Sequence, residues 1–138
     1  MTISDATLTN DIYDAVYTKI STGTLVAGLS PKFTGIYPDE KTNLSNPIIV
    51  ISPVSRSFSN AFFNGASTYK FVDELGINIV VFSKKSIHVD ELCDAISARF
   101  LTPISGLNLV SYNESENFVV INDQPVRSKT ISVSWDRK

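Results

Sequence analysis

The sequence is unusually poor in residues that bind metals or carry charge. Cysteine and histidine occur once each in 138 residues, as Cys93 and His88. One cysteine cannot form an internal disulfide, and a zinc site needs three or four ligands, so His88 is interpreted as a solvated residue at a helix start. Charged residues make up 19% of the chain and the formal net charge is −2, which gives no indication of a nucleic-acid-binding surface. We expect an intracellular protein, or one assembled inside a cell.

Long apolar runs are also missing. No stretch approaches the ~18 apolar residues that a transmembrane helix requires. Residues 1–5 contain neither a basic segment nor an apolar one, so we expect no secretory signal. Hydrophobic residues still make up 43% of the chain, which is ordinary for a globular protein. The length of 138 residues predicts a single domain over residues 1–138, and its low charge indicates that partners cover part of the surface.

Catalytic signatures are absent from the sequence as well. The glycines form no phosphate-binding pattern, and Lys84-Lys85 is too short a basic run to indicate a nucleic acid or a membrane. Paired carboxylates can perform acid–base catalysis, but Asp73-Glu74 lies at a predicted strand start and Glu114/Glu116 in a predicted turn, where solvated side chains are the simpler interpretation. Cys93 stands in an apolar stripe with no histidine placed to activate it. We expect no enzyme, no metal and no cofactor.

A strand followed by a helix is the clearest unit in the sequence. Alternating apolar side chains in residues 71–82 predict a strand, whose second face is polar first and apolar later. The far end of this strand is therefore expected to be covered on both faces. A helix is predicted over residues 89–101, with Asp90 and Glu91 in its first turn and Pro103 after its end. Its apolar stripe comprises Val89, Leu92, Cys93, Ile96 and Phe100.

Other elements are predicted around this unit. Residues 4–21 form an amphipathic helix with Ser4 or Asp5 as its cap and Gly23 as its left-handed stop. Residues 48–51 form a β-branched strand buried on both faces. Further predictions are a short strand near Phe33 and Ile36, a loop at 37–47, strands at 106–112, 118–121 and 126–135, and turns at 113–117 and 122–125. This order predicts an α+β fold, in which two helices pack on one face of a mostly antiparallel sheet.

Residues 55–67 mix turn-forming residues with three phenylalanines. Asn64-Gly65 is a strong turn signal, and we interpret the segment as an extended connection between two long strands. Its phenylalanines either pack against the protein's own core or form a protruding arm that docks on a neighbouring subunit. Aromatic residues on a polar loop are typical of interface anchors. The predicted interface residues are Arg56, Phe58, Phe62, Phe63 and Tyr69.

The order of elements resembles that of the tail-terminator, or tail-completion, proteins of long-tailed bacteriophages and related viruses. The matching pieces are the helix over residues 4–21, the strand Ile48-Ile49-Val50-Ile51 leading through the aromatic segment to residues 71–82, the helix over 89–101 and the closing strand over 129–135. The resemblance covers nearly the whole chain and rests on this layout, without a diagnostic motif. It implies a long β-hairpin in addition to the two helices.

The resemblance implies a structural role in the virion. Terminators form a hexameric ring that caps the last ring of tail-tube subunits and presents a surface to the head connector or stopper. Implied partners are therefore further copies of the chain, the tail tube protein and the head connector. DNA would pass through the lumen without specific binding, no membrane would be contacted, and assembly would take place in the host cytoplasm. The alternatives are another neck protein, such as a stopper or head-completion protein, and a small cytosolic oligomeric binding module.

Overall fold

The computed structural model describes residues 7–39, 42–63 and 69–137, and for residues 58–63 and 69–73 it describes the backbone alone. Two helices and six strands follow each other along this part of the chain. In chain order they are α1 (Leu8–Ser21), β1 (Lys32–Thr34), β2 (Ile48–Ile51), β3 (Ser55–Phe63), β4 (Tyr69–Phe82), α2 (Ser86–Phe100), β5 (Leu107–Ile121) and β6 (Gln124–Arg137). This content confirms the predicted α+β class.

The described strands join one sheet in the order β1-β2-β4-β6-β5, and β3 pairs with β4 on the same side as β2. β1 and β2 are parallel, while the other pairs are antiparallel. β4 is central because β2 and β3 pair with it in succession on one side and β6 pairs with it on the other. The mostly antiparallel sheet is therefore confirmed. Its outer strands are β1 and β3 on one side and β5 on the other.

Both helices pack on one face of the sheet through the apolar stripes that the sequence predicts. α1 buries Leu8, Ile12, Val16 and Ile20, and α2 buries its complete stripe. They share one core cluster with the alternate residues of β4 and β6 that face them. Arg99 of α2 also donates to the carbonyl oxygens of Lys19 (3.0 Å), Thr22 and Thr24 (3.3 Å), which satisfies groups left free where α1 ends.

The opposite face of the sheet is apolar at one end. Val80 and Phe82 are buried there, as the change from polar to apolar residues along β4 predicts. The loop after β1 and the end of the β5–β6 hairpin cover them, since the Tyr37 ring lies edge-on to Phe82 and the Asn122 amide donates to the Thr42 carbonyl (3.0 Å). This second cluster comprises Leu44, Ile48, Val50, Val80, Phe82, Ile121 and Val126.

The helix starts differ from the sequence-based prediction. α1 begins at Leu8, and Ser4 and Asp5 lie outside the described residues. Thr7 occupies the cap position, but its hydroxyl donates to the Asp11 carboxylate (2.8 Å) instead of accepting a backbone bond. α2 begins at Ser86, so the predicted placement of Asp90 and Glu91 in its first turn is wrong. The predicted left-handed conformation of Gly23, which follows the cap residue Thr22 at the end of α1, is confirmed by its φ of +68°.

Two segments predicted to be loops are strands. The connection predicted from residue 55 onward is strand β3 as far as Phe63, and the turn predicted at residues 113–117 is the middle of β5. These polar segments pair continuously with β4 and β6, apart from one bulge in β3. These two segments form strands because they pair with residues on neighbouring strands. The polarity of the segments themselves does not indicate those partners. The β5–β6 hairpin closes through Asn122 and Asp123, both with positive φ as in two-residue hairpin turns.

Candidate assembly surface

A two-stranded ribbon extends one end of the sheet. The pairing of β4 with β6 begins at Glu74, so residues 69–73 of β4 pair with β3 alone. We call residues 58–63 and 69–73 the ribbon. Arg56 lies at its root and is exposed. The ribbon backbone carries the other predicted interface residues, whose side chains lie outside the described part of the chain: Phe58, Phe62, Phe63 and Tyr69.

The hairpin thus brings the five predicted interface residues onto two neighbouring strands. Phe63 pairs with Tyr69, and a bulge between Asn60 and Phe62 interrupts the register. Bulges increase the local twist of a strand pair. Whether the phenylalanines dock on a neighbour or on their own core stays a prediction.

β5 is the edge strand on the opposite side of the sheet. It is 15 residues long and pairs with β6 on one side. Among the described residues no strand pairs with its outer edge. Proteins normally protect long free edges by charges, bulges or cover, because unpaired N–H and C=O groups invite another strand. Glu114 and Glu116 place charges in the middle of β5, so its two ends are the less protected parts of this edge.

Exposed apolar side chains stand at both ends of β5. Leu109 and Val110 are exposed at its start, and Phe118 and Val120 near its end, with Phe118 67% exposed. A register shift between Leu109 and Ser111 leaves Val110 without a paired residue, so two successive apolar side chains reach solvent. The sequence analysis missed these residues. The adjacent pair Leu109-Val110 breaks strand alternation, but exposure also depends on β5 being an edge, which the sequence does not reveal.

An apolar groove runs between the end of α2 and the start of β5. Its main hollow measures about 380 Å³ and is lined largely by apolar groups. A neighbouring hollow of about 280 Å³ shares Phe100, Leu101 and Leu109 with it and extends to Trp135. The Phe100 ring lies 6.0 Å from the Tyr112 ring and 6.3 Å from Trp135, centroid to centroid. Leu101 is 85% exposed beside this aromatic floor, and we call the two hollows together the α2–β5 groove.

The Tyr112 hydroxyl lies buried in the wall of this groove. Among the described residues it has no hydrogen-bond partner of ordinary geometry, and the nearby Ser97 hydroxyl donates to the Asp94 carbonyl (3.0 Å). Burial, assisted by Glu114, raises the pKa of Tyr112 while Ser97 opposes the rise, so the phenol stays protonated at neutral pH. Tyr112 therefore contributes an aromatic surface rather than a charge.

Five charged side chains join α2 to the β5–β6 hairpin. The two terminal nitrogens of Arg127 donate to Asp90 at 2.8 Å each, and a further bond reaches Glu116. The Lys129 ammonium lies 2.9 Å from Asp90 and 3.7 Å from Glu114. Hydrogen bonds from Arg127 and then Lys129 lower the pKa of Asp90 to about 2. Glu114 and Glu116, which the sequence predicts to be solvated, therefore form ion pairs with Lys129 and Arg127. The five charged side chains link α2 to the β5–β6 hairpin.

Other residues considered for chemistry offer little. Cys93 is fully buried. His88 lines a hollow with Lys84 and Lys85 beside the start of α2. In residues 7–39, 42–63 and 69–137, no group of three His, Cys, Asp or Glu side chains could hold a metal ion. Of the other acidic pair, Asp73-Glu74, Glu74 accepts a hydrogen bond from the Ser57 hydroxyl (3.5 Å).

No helix in the described part of the chain is long and apolar enough to span a membrane.

Comparisons with protein-family models and with curated proteins gave no match for this chain. A functional assignment therefore depends on the exposed surfaces themselves. The candidates among the described residues are the β3 side of the sheet, the edge of β5 on the other side, and the α2–β5 groove beside that edge.

Proposed function

We propose that this chain is a structural subunit of a closed ring in the neck of a long-tailed virus, where the ring terminates the tail tube and joins it to the head connector. The observation that carries this proposal is that, among the described residues, the sheet ends in unlike strands on its two sides. β3 with its ribbon lies on one side and β5 on the other. A ring requires such a head-to-tail contact, in which one surface meets a different surface of the next copy.

The order of elements supports the same role. The two helices, the β3–β4 hairpin and the closing strands follow the layout that resembles tail terminators. Such a protein must also contact a tube on one side and a connector on the other. Exposed apolar residues near the β5–β6 turn, Phe118 and Val120, lie at the opposite end of the sheet from the ribbon and offer a surface for one of these partners.

The chemistry of the described surface favours contact over catalysis. The carboxylate of Asp90 is paired with Arg127 and Lys129, so these side chains do not form a free acid–base pair. A small oligomeric binding module remains the second candidate, and the α2–β5 groove is the observation that favours it. Its lining is mostly apolar with few polar groups, as in many small-molecule sites.

Tube capping tests the proposed function directly. Purified protein added to its growing cognate tail tubes is expected to stop elongation and to give density at one tube end in negative-stain micrographs. The double variant Phe118→Ser/Val120→Ser should stay folded, because both side chains are exposed, and should lose capping. The matched control Tyr17→Ser removes a partly exposed aromatic side chain from α1 and should cap normally. Unchanged elongation with the natural chain would contradict the proposal.

A further inference from the structure

We propose that the α2–β5 groove receives the ribbon of the next copy of this chain. This inference rests on the proposed ring and specifies which two surfaces meet in it. The occupant is therefore the Phe-rich hairpin of an identical neighbour rather than a foreign ligand. Three features support it: strand register, strand direction, and the match between an apolar groove and an aromatic segment.

The strand register places Arg56, where the ribbon begins, and Leu109, at the groove, in the same row of paired residues. One row of paired residues crosses the sheet from one open edge to the other: Arg56, Leu75, Trp135 and Leu109. Copies in a closed ring are related by rotation alone. Where strands run along the ring axis, equal rows of adjacent copies face each other. The Arg56 end of β3 in one copy then lies beside Leu109 in the next.

Strand direction also suits this contact. β3 is antiparallel to β4, β4 to β6, and β6 to β5, so β3 and β5 run in opposite directions. Rotation about an axis along the strands preserves these directions. The β3 of one copy therefore approaches the β5 of the next in antiparallel orientation, as in most of the existing sheet.

The groove offers what an aromatic segment needs. Its floor is formed by the rings of Phe100, Tyr112 and Trp135, and Leu101 and Leu109 expose apolar surface at its rim. Aromatic side chains bury about 150–250 Å² each, and they prefer edge or offset contact with other rings. β3 carries three phenylalanines in nine residues. Covering the rim would remove the largest exposed leucine surface of the described chain from water.

Side-chain docking, rather than a long shared ladder, is the expected form of the contact. The register shift after Leu109 disturbs the free edge, and Glu114 and Glu116 follow it within a few residues. Both features oppose continuous strand pairing. The contact is therefore confined to the first residues of β5 and the adjacent end of α2.

A mixing experiment tests this head-to-tail contact. The groove variant Leu109→Asp and the ribbon variant Phe62→Ser/Phe63→Ser are each expected to be folded by circular dichroism and to lose ring formation. Mixed in equal amounts, they should give a dimer and no larger species, since only the intact groove of one and the intact ribbon of the other can join. Mass is measured by light scattering behind a sizing column. The control Ile87→Asp places the same charge at an exposed site in the first turn of α2, at the opposite end of that helix from the groove, and should retain the ring.

A cross-linking measurement covers the case in which the ribbon variant does not fold. In the double variant Arg56→Cys/Leu109→Cys, the two new thiols of one copy lie three strand spacings apart, about 14 Å, too far for an internal disulfide. Mild oxidation should therefore give a ladder of covalent oligomers ending at the ring size. Each single-cysteine variant should stop at the dimer.

The outcomes separate the two proposals. If the natural chain forms rings, but Leu109→Asp also forms them and the double-cysteine variant gives no ladder, the groove assignment is wrong and the ring proposal stands. If the natural chain forms no ring, alone or on tail tubes, the proposed function itself fails. A dimer from the mixed variants, or a full ladder, supports the groove assignment.

Discussion

Replacing Ile131 with alanine is expected to lower the free energy of unfolding by roughly 2–5 kcal/mol. Ile131 is completely buried in the middle of β6, where it pairs with the equally buried Ile79 of β4 and belongs to the core beneath both helices. Truncation removes apolar contacts and leaves a cavity that a central strand cannot close, because its backbone is held on both sides. Urea denaturation monitored by circular dichroism measures the loss.

Val120→Ala is the matched control for Ile131→Ala. Val120 is a β-branched residue on β5, but its side chain is exposed, so the free energy of unfolding should change by no more than about 0.5 kcal/mol. A similar loss in both variants would contradict the assignment of β5 as an edge strand and β6 as an interior one.

The Cys93 thiol should react more slowly in the native protein than in the unfolded chain, by roughly a hundredfold or more. Cys93 is fully buried on α2, and burial, followed by the nearby charge of Glu114, raises its pKa from 9.0 to about 12. The thiolate is the reactive form, so the raised pKa lowers its fraction at pH 8, and burial of the sulfur also blocks a bulky reagent. An aromatic disulfide reagent at pH 8, with and without urea, gives the two rates.

An exposed thiol provides the reference for that rate. Ser115→Cys on the exposed part of β5 should react rapidly in the native state, so slow reaction can be attributed to Cys93. If native Cys93 reacted as fast as the new thiol, α2 could not be packed on the sheet as described. The result would also show whether Cys93 interferes with the cross-linking experiment.

Elements defined by local periodicity could be predicted from the sequence. Spacing by four residues identifies the buried face of α1, and the stripe from Val89 to Phe100 identifies that of α2. The β-branched run of β2 predicts burial on both faces, which the structure confirms. In each case the residues that define the buried face lie close together in sequence. Any apolar surface can cover that face, so the distant partner need not be known.

Features that depend on distant partners could not be predicted in the same way. Residues 113–117 are polar enough for a turn, but Arg127 and Lys129 on β6 hold Glu116 and Glu114 within a strand pair. The exposure of Leu109 likewise follows from β5 being the last strand of the sheet. Strand order is not encoded in any single segment, so the α2–β5 groove appears only when the whole sheet is assembled.

The native mass of the purified protein, measured by light scattering behind a sizing column over a wide concentration range, tests the central claim most directly. The claim is that unlike edges, β3 with its ribbon and β5, join head to tail into a closed ring. It predicts one discrete higher oligomer, a hexamer if the resemblance to tail terminators holds, with a central hole in negative-stain micrographs. A strict dimer at every concentration would contradict it, because a symmetric dimer uses the same surface on both copies and leaves no open end.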